Sequence, residues 1–237
     1  MKHPSVRNPL RNQLIDPLNR HCHHQLLKHG EVVELSSGHQ LNQPGETVAY
    51  AYFPAGGVIA LIMQQPTEKP IALTLVGAEG MVSIASVLGV NIVPYASQVL
   101  ISCEALRIPV QHLYDLKLKN TDFCKVLDSY VAVMHTQFAQ AIVCHSLHNV
   151  QQRMASLLLT YSDRVSAADF AMTQALLASL LGVRRSGINK AASMLQQLRT
   201  LQYSRGHMYI LNRTALLKVA CPCYANDKLA YLSMMSN

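Results

Sequence analysis

The segment that most restricts the fold is TQALLASLLGVRRSGINKAASMLQQL, residues 173–198. Leu176, Leu177, Leu180 and Leu181 recur at helical spacing, and Gly182 follows the last of them. Glycine ends a helix readily, because the left-handed turn that closes it crowds any Cβ. Thr173 offers a hydroxyl to cap the first helix. Val183, Ile188, Ala191 and Ala192 then supply the inner face of a second helix, and small Ala178 lets the two cross closely. This spacing predicts a helix-turn-helix, against the plainer alternative of a helical hairpin with a basic edge.

The second helix opens on Arg184, Arg185 and Ser186, followed by Asn189 and Lys190. Polar, cationic first turns suit a recognition helix: Arg can bond guanine bidentately and Asn adenine. The next stretch, LQYSRGHMYILNR (201–213), carries strand-like Tyr203 and Tyr209–Leu211 around Ser204–Arg205–Gly206–His207. A glycine-containing connection of that length predicts a β-hairpin, here a wing with Arg205 at its tip. Arg184, Arg185, Ser186, Asn189 and Lys190 are therefore expected at bases or adjacent phosphate, and Thr173, Gln174 and Arg205 at the backbone.

Charge agrees with this placement. Residues 151–237 hold ten Lys/Arg and three acids, whereas residues 1–150 hold ten of each, so the whole net charge of +7 lies in the last third. No acid occurs between Asp169 and Asp227. That asymmetry predicts a neutral module joined to one that binds a polyanion; a solvated basic face is the alternative.

Residues 172–213 resemble the winged helix of the CRP/FNR family of bacterial transcription regulators. The likeness continues through PGETVAYAYFPAGGVIALI (44–62) and VGAEGMVSIASVLG (76–89), which look like that family's sensor roll. The resemblance implies an N-terminal cyclic-nucleotide-binding-like β-roll, a long dimerising helix and a C-terminal winged helix, with Arg185, Ser186, Asn189 and Lys190 facing the operator. Two departures qualify it. Many members place Glu after the recognition Arg, where this chain has Ser186 and Gly187, so the operator sequence stays open. At the places where cyclic-nucleotide binders grip the phosphate, this chain has Ala78–Glu79–Gly80–Met81 and Tyr95–Ala96–Ser97, with no arginine. An unpaired buried anion is costly, which argues against cyclic AMP.

The remaining sequence organises around these features. Residues 1–30 are polar and His-rich and read as a short helical lead with a mobile tip. Residues 31–110 are short apolar runs broken by Gly and Pro, as in an antiparallel roll. A long helix is expected over Thr121–His148, capped by Thr121 with Asp122 at its positive end. Phe123, Leu127, Tyr130, Met134, Phe138 and Ala141 form a stripe with alternating four- and three-residue spacing, read as a dimer interface, with packing on the chain's own roll as the alternative. Two recognition helices reach two half-sites of a pseudo-palindrome, about 34 Å apart. Asn149–Gln152 is the expected hinge, and a helix over Arg153–Tyr161 opens the last domain. The domains are thus read as 1–120 (sensor roll), 121–149 (dimerisation helix and hinge) and 150–237 (winged helix-turn-helix).

Several other groups carry residues capable of metal or redox chemistry. His21–Cys22–His23–His24, and Cys144 with His145 and His148, are candidate metal or haem ligands, but zinc needs three or four convergent donors. His145 and His148 are read as a polar end to the dimer seam, with a pH- or metal-linked switch as the alternative. Cys221–Pro222–Cys223 is a candidate redox pair whose default is inert thiols in a terminal helix or turn. The six cysteines are scattered without a CxxC pair, and they do not match the clustered N-terminal pattern of iron–sulfur members of the family. The N-terminus lacks the apolar core of a signal peptide, which suggests a reducing, cytoplasmic setting. Ile71–Val93 is nearly uncharged, but Glu79 and three glycines favour a buried strand and a short helix over a membrane span. No nucleophile–base set, phosphate loop or paired carboxylates emerge, so an enzyme is not expected.

The sequence therefore predicts an α+β chain: a homodimeric, sequence-specific regulator of transcription. Its expected partners are double-stranded DNA with a pseudo-palindromic operator, a second copy of itself, RNA polymerase and an unknown small-molecule effector, with no membrane. No catalytic residue, cofactor or metal is assigned. A haem- or metal-linked redox sensor, or a small-molecule-binding module whose winged helix contacts protein, are the alternatives.

Overall fold

The structure is a computed structural model that describes residues 11–64 and 70–236. The expected mobile tip of the N-terminal lead lies outside the described residues. The first helix among the described residues is α1 (Arg20–His29), capped by the Asn19 side chain, which accepts from the Cys22 amide at 2.9 Å. Strands β1 (Glu31–Leu35), β2 (Gln40–Asn42), β3 (Tyr50–Pro54), β4 (Val58–Met63), β5 (Ile71–Val76), β6 (Ala96–Ile101) and β7 (Cys103–Pro109) follow, with a 3-10 turn at Ile84–Leu88. Helices α2 (Val110–Lys119), α3 (Thr121–Leu147) and α4 (Val150–Val165) come next. The last part runs β8 (Asp169–Ala171), α5 (Gln174–Leu180), α6 (Arg185–Gln197), β9 (Leu201–Ser204), β10 (His207–Ile210), α7 (Arg213–Val219) and α8 (Cys223–Met235).

Seven strands between residues 31 and 109 bear out the roll. They form a sheet ordered β1-β7-β3 and another ordered β2-β6-β4-β5. β7 pairs antiparallel with both neighbours, setting Ala105 opposite Val33 and Leu106 opposite Phe53. Alternate residues face inward, so Phe53, Leu106 and Ile108 are almost fully buried. No helix among the described residues is long and apolar enough to cross a membrane.

The chain divides into two compact units: Met1–Ile59 with Val76–Val131, and Ala60–Leu75 with Ala132–Asn237. In the first, Asn12 is wholly buried and its amide donates to the carbonyls of Pro54 (2.9 Å) and Gly80 (2.7 Å). In the second, α4 carries Met154, Ala155, Leu158, Leu159 and Tyr161 into a core shared with α6 and α7. The Tyr161 ring lies against Phe170, centroids 4.8 Å apart.

The helix expected from residue 121 is present, with corrections at its ends. Asn120, not Thr121, supplies the cap, its side chain accepting from the Phe123 amide at 2.9 Å. At the expected hinge, Asn149–Gln152, the break between α3 and α4 falls at His148–Asn149 and α4 opens on a capped turn in which the Asn149 and Gln152 side chains each bond the other's backbone amide. α4 is consequently longer than the expected Arg153–Tyr161.

Asp163 ties three helices of the second unit. It accepts from Arg213 of α7 at 2.5 Å and from Tyr224 and Lys228 of α8 at 2.7 and 3.2 Å. Burial alone would raise its pKa, but the Tyr224 hydroxyl, Arg213 and Lys228 outweigh it and hold the carboxyl below the ordinary range. A depressed acid stabilises the fold above the unfolded-state pKa and loses that contribution as pH falls through the folded-state value. Asp163→Asn is therefore expected to cost about 1 kcal/mol at neutral pH. In urea melts, the deficit should hold between pH 5 and 8 and shrink below about pH 4.

Candidate nucleic-acid interface

The helix-turn-helix forms where the sequence places it. The Thr173 hydroxyl accepts from the Leu176 amide at 3.1 Å and starts α5. Gly182 adopts φ +62°, and the Val183 amide returns to the Ala178 carbonyl at 3.0 Å to close the turn. Leu177, Ala178 and Leu180 of α5 are buried, as are Ile188, Ala191, Ala192 and Leu195 of α6. The opposite edge of α6 is consequently open: Arg184, Arg185, Ser186, Asn189 and Lys190 are all exposed. Arg184 provides no side-chain cap, so the first amides of α6 are free of one. A Cβ at Gly187 would meet nothing within 4 Å, which leaves that turn open to close approach.

The wing is a three-stranded sheet ordered β8-β10-β9. Its tip is a two-residue turn: Ser204 pairs with His207, while Arg205 and Gly206 take φ of +47° and +83°. Two successive positive φ values match the right-handed twist of the strands. The Met172 amide donates to the Gly206 carbonyl at 2.8 Å, setting the wing tip beside Thr173 at the start of α5. Tyr203 donates from its amide to the Gln196 side chain at 3.0 Å, anchoring the wing to α6. Arg205 and Thr173 are exposed and Gln174 half-buried. Exposed His207 on the wing was not singled out from sequence; strand alternation from buried Met208 and Ile210 would have marked it.

Other expected groups behave differently. Phe123, Leu127, Tyr130 and Met134 are buried, whereas Phe138 and Ala141 are half-buried. At His21–His24, Cys22 is wholly buried and His23 donates from Nε2 to the Ile15 carbonyl at 2.6 Å, so these side chains diverge. Burial first, and then Asp122, push the Cys22 thiol up to about 11. His145 and His148 take different partners within the chain. Burial and then Arg153 push His145 down to about 4, so it stays neutral across the physiological range, and its Nδ1 meets Arg153. His148 instead turns its Nδ1 toward Cys223 Sγ, at 3.4 Å.

Comparison with known proteins agrees with this geometry. Residues 152–219 match the Crp-like helix-turn-helix domain. No curated protein sequence matches the chain. Among solved structures, a CRP/FNR-family regulator from Eubacterium rectale superposes with a TM-score of 0.71 at 15% identity, over 88% of this chain and 98% of that one. FixK2 of Bradyrhizobium japonicum gives 0.69 at 14%, over 81% and 98%. The c-di-GMP-responsive global regulator CLP of Xanthomonas campestris gives 0.68 at 14%, over 81% and 99%. The resemblance read from the sequence is borne out: the chain has the CRP/FNR regulator fold and carries the Crp-like helix-turn-helix of that family.

The turn at Gly182 gives a direct check. A Cβ there would lie 2.9 Å from Ile71 Cδ1, a flexible side-chain end, so the backbone conformation dominates the penalty. Gly182→Ala is expected to cost about 1–2 kcal/mol, read as a lower denaturation midpoint with an unchanged slope.

Proposed function

We propose that the protein is a homodimeric, sequence-specific DNA-binding regulator of transcription whose N-terminal roll does not take cyclic AMP. The observation that carries this reading is α6: Ile188, Ala191, Ala192 and Leu195 are buried on one side, and five polar or cationic residues stand free on the other. Arg184, Arg185, Ser186, Asn189 and Lys190 meet base edges or flanking phosphate in the major groove. Thr173, Gln174 and Arg205 hold the backbone, the neighbouring α5 start and wing tip touching one strand together. The Crp-like domain match supports duplex DNA as the ligand.

Dimerisation uses α3. Its inner stripe packs within the chain, and the face turned outward carries Ala132, His135, Ala139 and Ile142 at spacings of three and four. Ile142 is 70% exposed, and Phe138 and Ala141 flank this face. Small residues with one large apolar side chain suit a close helix pair across a two-fold axis. RNA polymerase is the partner such a regulator would act on, in the cytoplasm.

Two features of the roll weigh against cyclic AMP. A Cβ at Gly80 would overlap the Tyr130 hydroxyl, and the Gly80 carbonyl already accepts from Asn12, so this turn is filled by the chain itself. Tyr95 and Ser97 are buried and bring no cation to meet a phosphate.

The test is selection of bound fragments from random duplexes, followed by footprinting of variants. Arg185→Ala is expected to lose about 1–3 kcal/mol at one base position, whereas Arg205→Ala weakens all sequences alike and lowers the salt slope by about one. A uniform loss for Arg185→Ala contradicts its base-reading role, and a chain that ignores every duplex at low salt removes the reading altogether. Ile142→Glu is expected to shift the protein to monomer in sedimentation and to weaken operator binding together.

A further inference from the structure

The end of α3 and the start of α8 bring together four side chains that are far apart in sequence. Cys144, His148, Cys221 and Cys223 each direct one donor atom to a common point, all four atoms lying within 4.8 Å of one another. Cys144 Sγ is 3.6 Å from Cys221 Sγ, and Cys223 Sγ is 3.4 Å from His148 Nδ1. A tetrahedral zinc ion with Zn–S near 2.3 Å and Zn–N near 2.05 Å has ligand–ligand edges of roughly 3.8 and 3.6 Å. Both separations fall close to those edges, and the remaining pairs, all within 4.8 Å, would have to close by no more than about 1 Å around an ion.

From this geometry we infer that Cys144, His148, Cys221 and Cys223 form a structural zinc site of the Cys3His class. Three thiolates and one imidazole fill a tetrahedron and leave no open position, which suits a structural rather than a catalytic ion. The surrounding groups fit the role. Gln140 donates from Nε2 to Cys223 Sγ at 3.0 Å, and Ser156 Oγ lies 3.0 Å from Cys221 Sγ, so outer hydrogen bonds orient two of the sulfurs. Arg153 is buried, donates to the Leu181 carbonyl, and lies within electrostatic reach of Cys144 and Cys221. Its positive charge offsets the single negative charge of a zinc ion held by three thiolates. Cys221 and Cys223 are buried and Cys144 and His148 half-buried, which gives an ion a route of entry beside Cys144 and His148.

The site also accounts for two sequence features left without a role. Cys144 lies in the last turn of α3 and His148 just past it, and the His148 amide still donates to the Cys144 carbonyl at 3.2 Å, so the four-residue spacing keeps both side chains on one face. Pro222 separates two cysteines at the turn into α8, where both thiols reach the same point. Metal binding would clasp the end of α3 to the start of α8 across α4. The inference is independent of the DNA-binding reading.

The experiment uses the full chain, kept reduced, stripped with a chelator and titrated with zinc or cobalt. One equivalent of zinc should survive gel filtration. Cobalt should give the intense visible bands of a tetrahedral site and a thiolate charge-transfer band scaled to three sulfurs. Cys223→Ser and His148→Ala should each weaken zinc binding by about 100-fold, while Cys124→Ser binds as the parent chain does. Alkylation mapping of the unmutated protein avoids dependence on how the variants fold: zinc should protect Cys144, Cys221 and Cys223 and leave Cys124 reactive. Failure of the reduced chain to retain stoichiometric metal overturns the site. So does parental affinity in both ligand variants, or closure of a Cys144–Cys221 disulfide with equimolar zinc present.

Discussion

The burial of one face of α6 is the constraint on which the arrangement depends. Ile188, Ala191, Ala192 and Leu195 fit against α4 and α5, so the helix can roll in only one way. Rotation by a single residue would place Asn189 or Lys190 in the core, where an unpaired polar or charged group costs several kcal/mol. Small Ala191 and Ala192 let α6 lie close to α4, and the tight turn at Gly182 fixes where α6 begins. The cationic edge is consequently held outward by apolar packing on the opposite side, and needs no interaction of its own to stay there.

The wing follows from the same packing. Gln196, one turn beyond Ala192, receives the Tyr203 amide, and Gly206 receives the Met172 amide just before α5. The hairpin is thereby pinned to α6 along β9 and, at its tip, to the segment that leads into α5. Arg205 reaches solvent because it sits at the hairpin tip, where the tight turn takes a positive φ.

α3 shows how a narrow apolar stripe admits two readings. Phe123, Leu127, Tyr130 and Met134 have the spacing of a seam, but large apolar side chains find a partner in their own chain first. Tyr130 fits against Gly80, a position with no side chain to oppose it. The outward face mixes small Ala132 and Ala139 with polar His135 and one large apolar residue, Ile142, a pattern that gives a weak signal in sequence. A seam between identical helices and a seam against a roll share one periodicity, and only burial separates them.

The sequence by itself determined the elements with strong local causes. The Thr173 cap, the Gly182 turn, the apolar face of α6, the Arg205–Gly206 hairpin and the broken strands of the roll each follow from near-neighbour sterics, hydrogen bonding or periodicity. Charge bookkeeping along the chain added that the free edge would be cationic. Only the tertiary structure decided which face of α3 is left free, that Asn120 rather than Thr121 caps it, and that Cys144 and His148 meet Cys221 and Cys223. Those outcomes depend on residues more than seventy positions apart or on competition between equivalent caps and faces. No local rule ranks such alternatives, because the free energy that chooses among them arises when the helices pack.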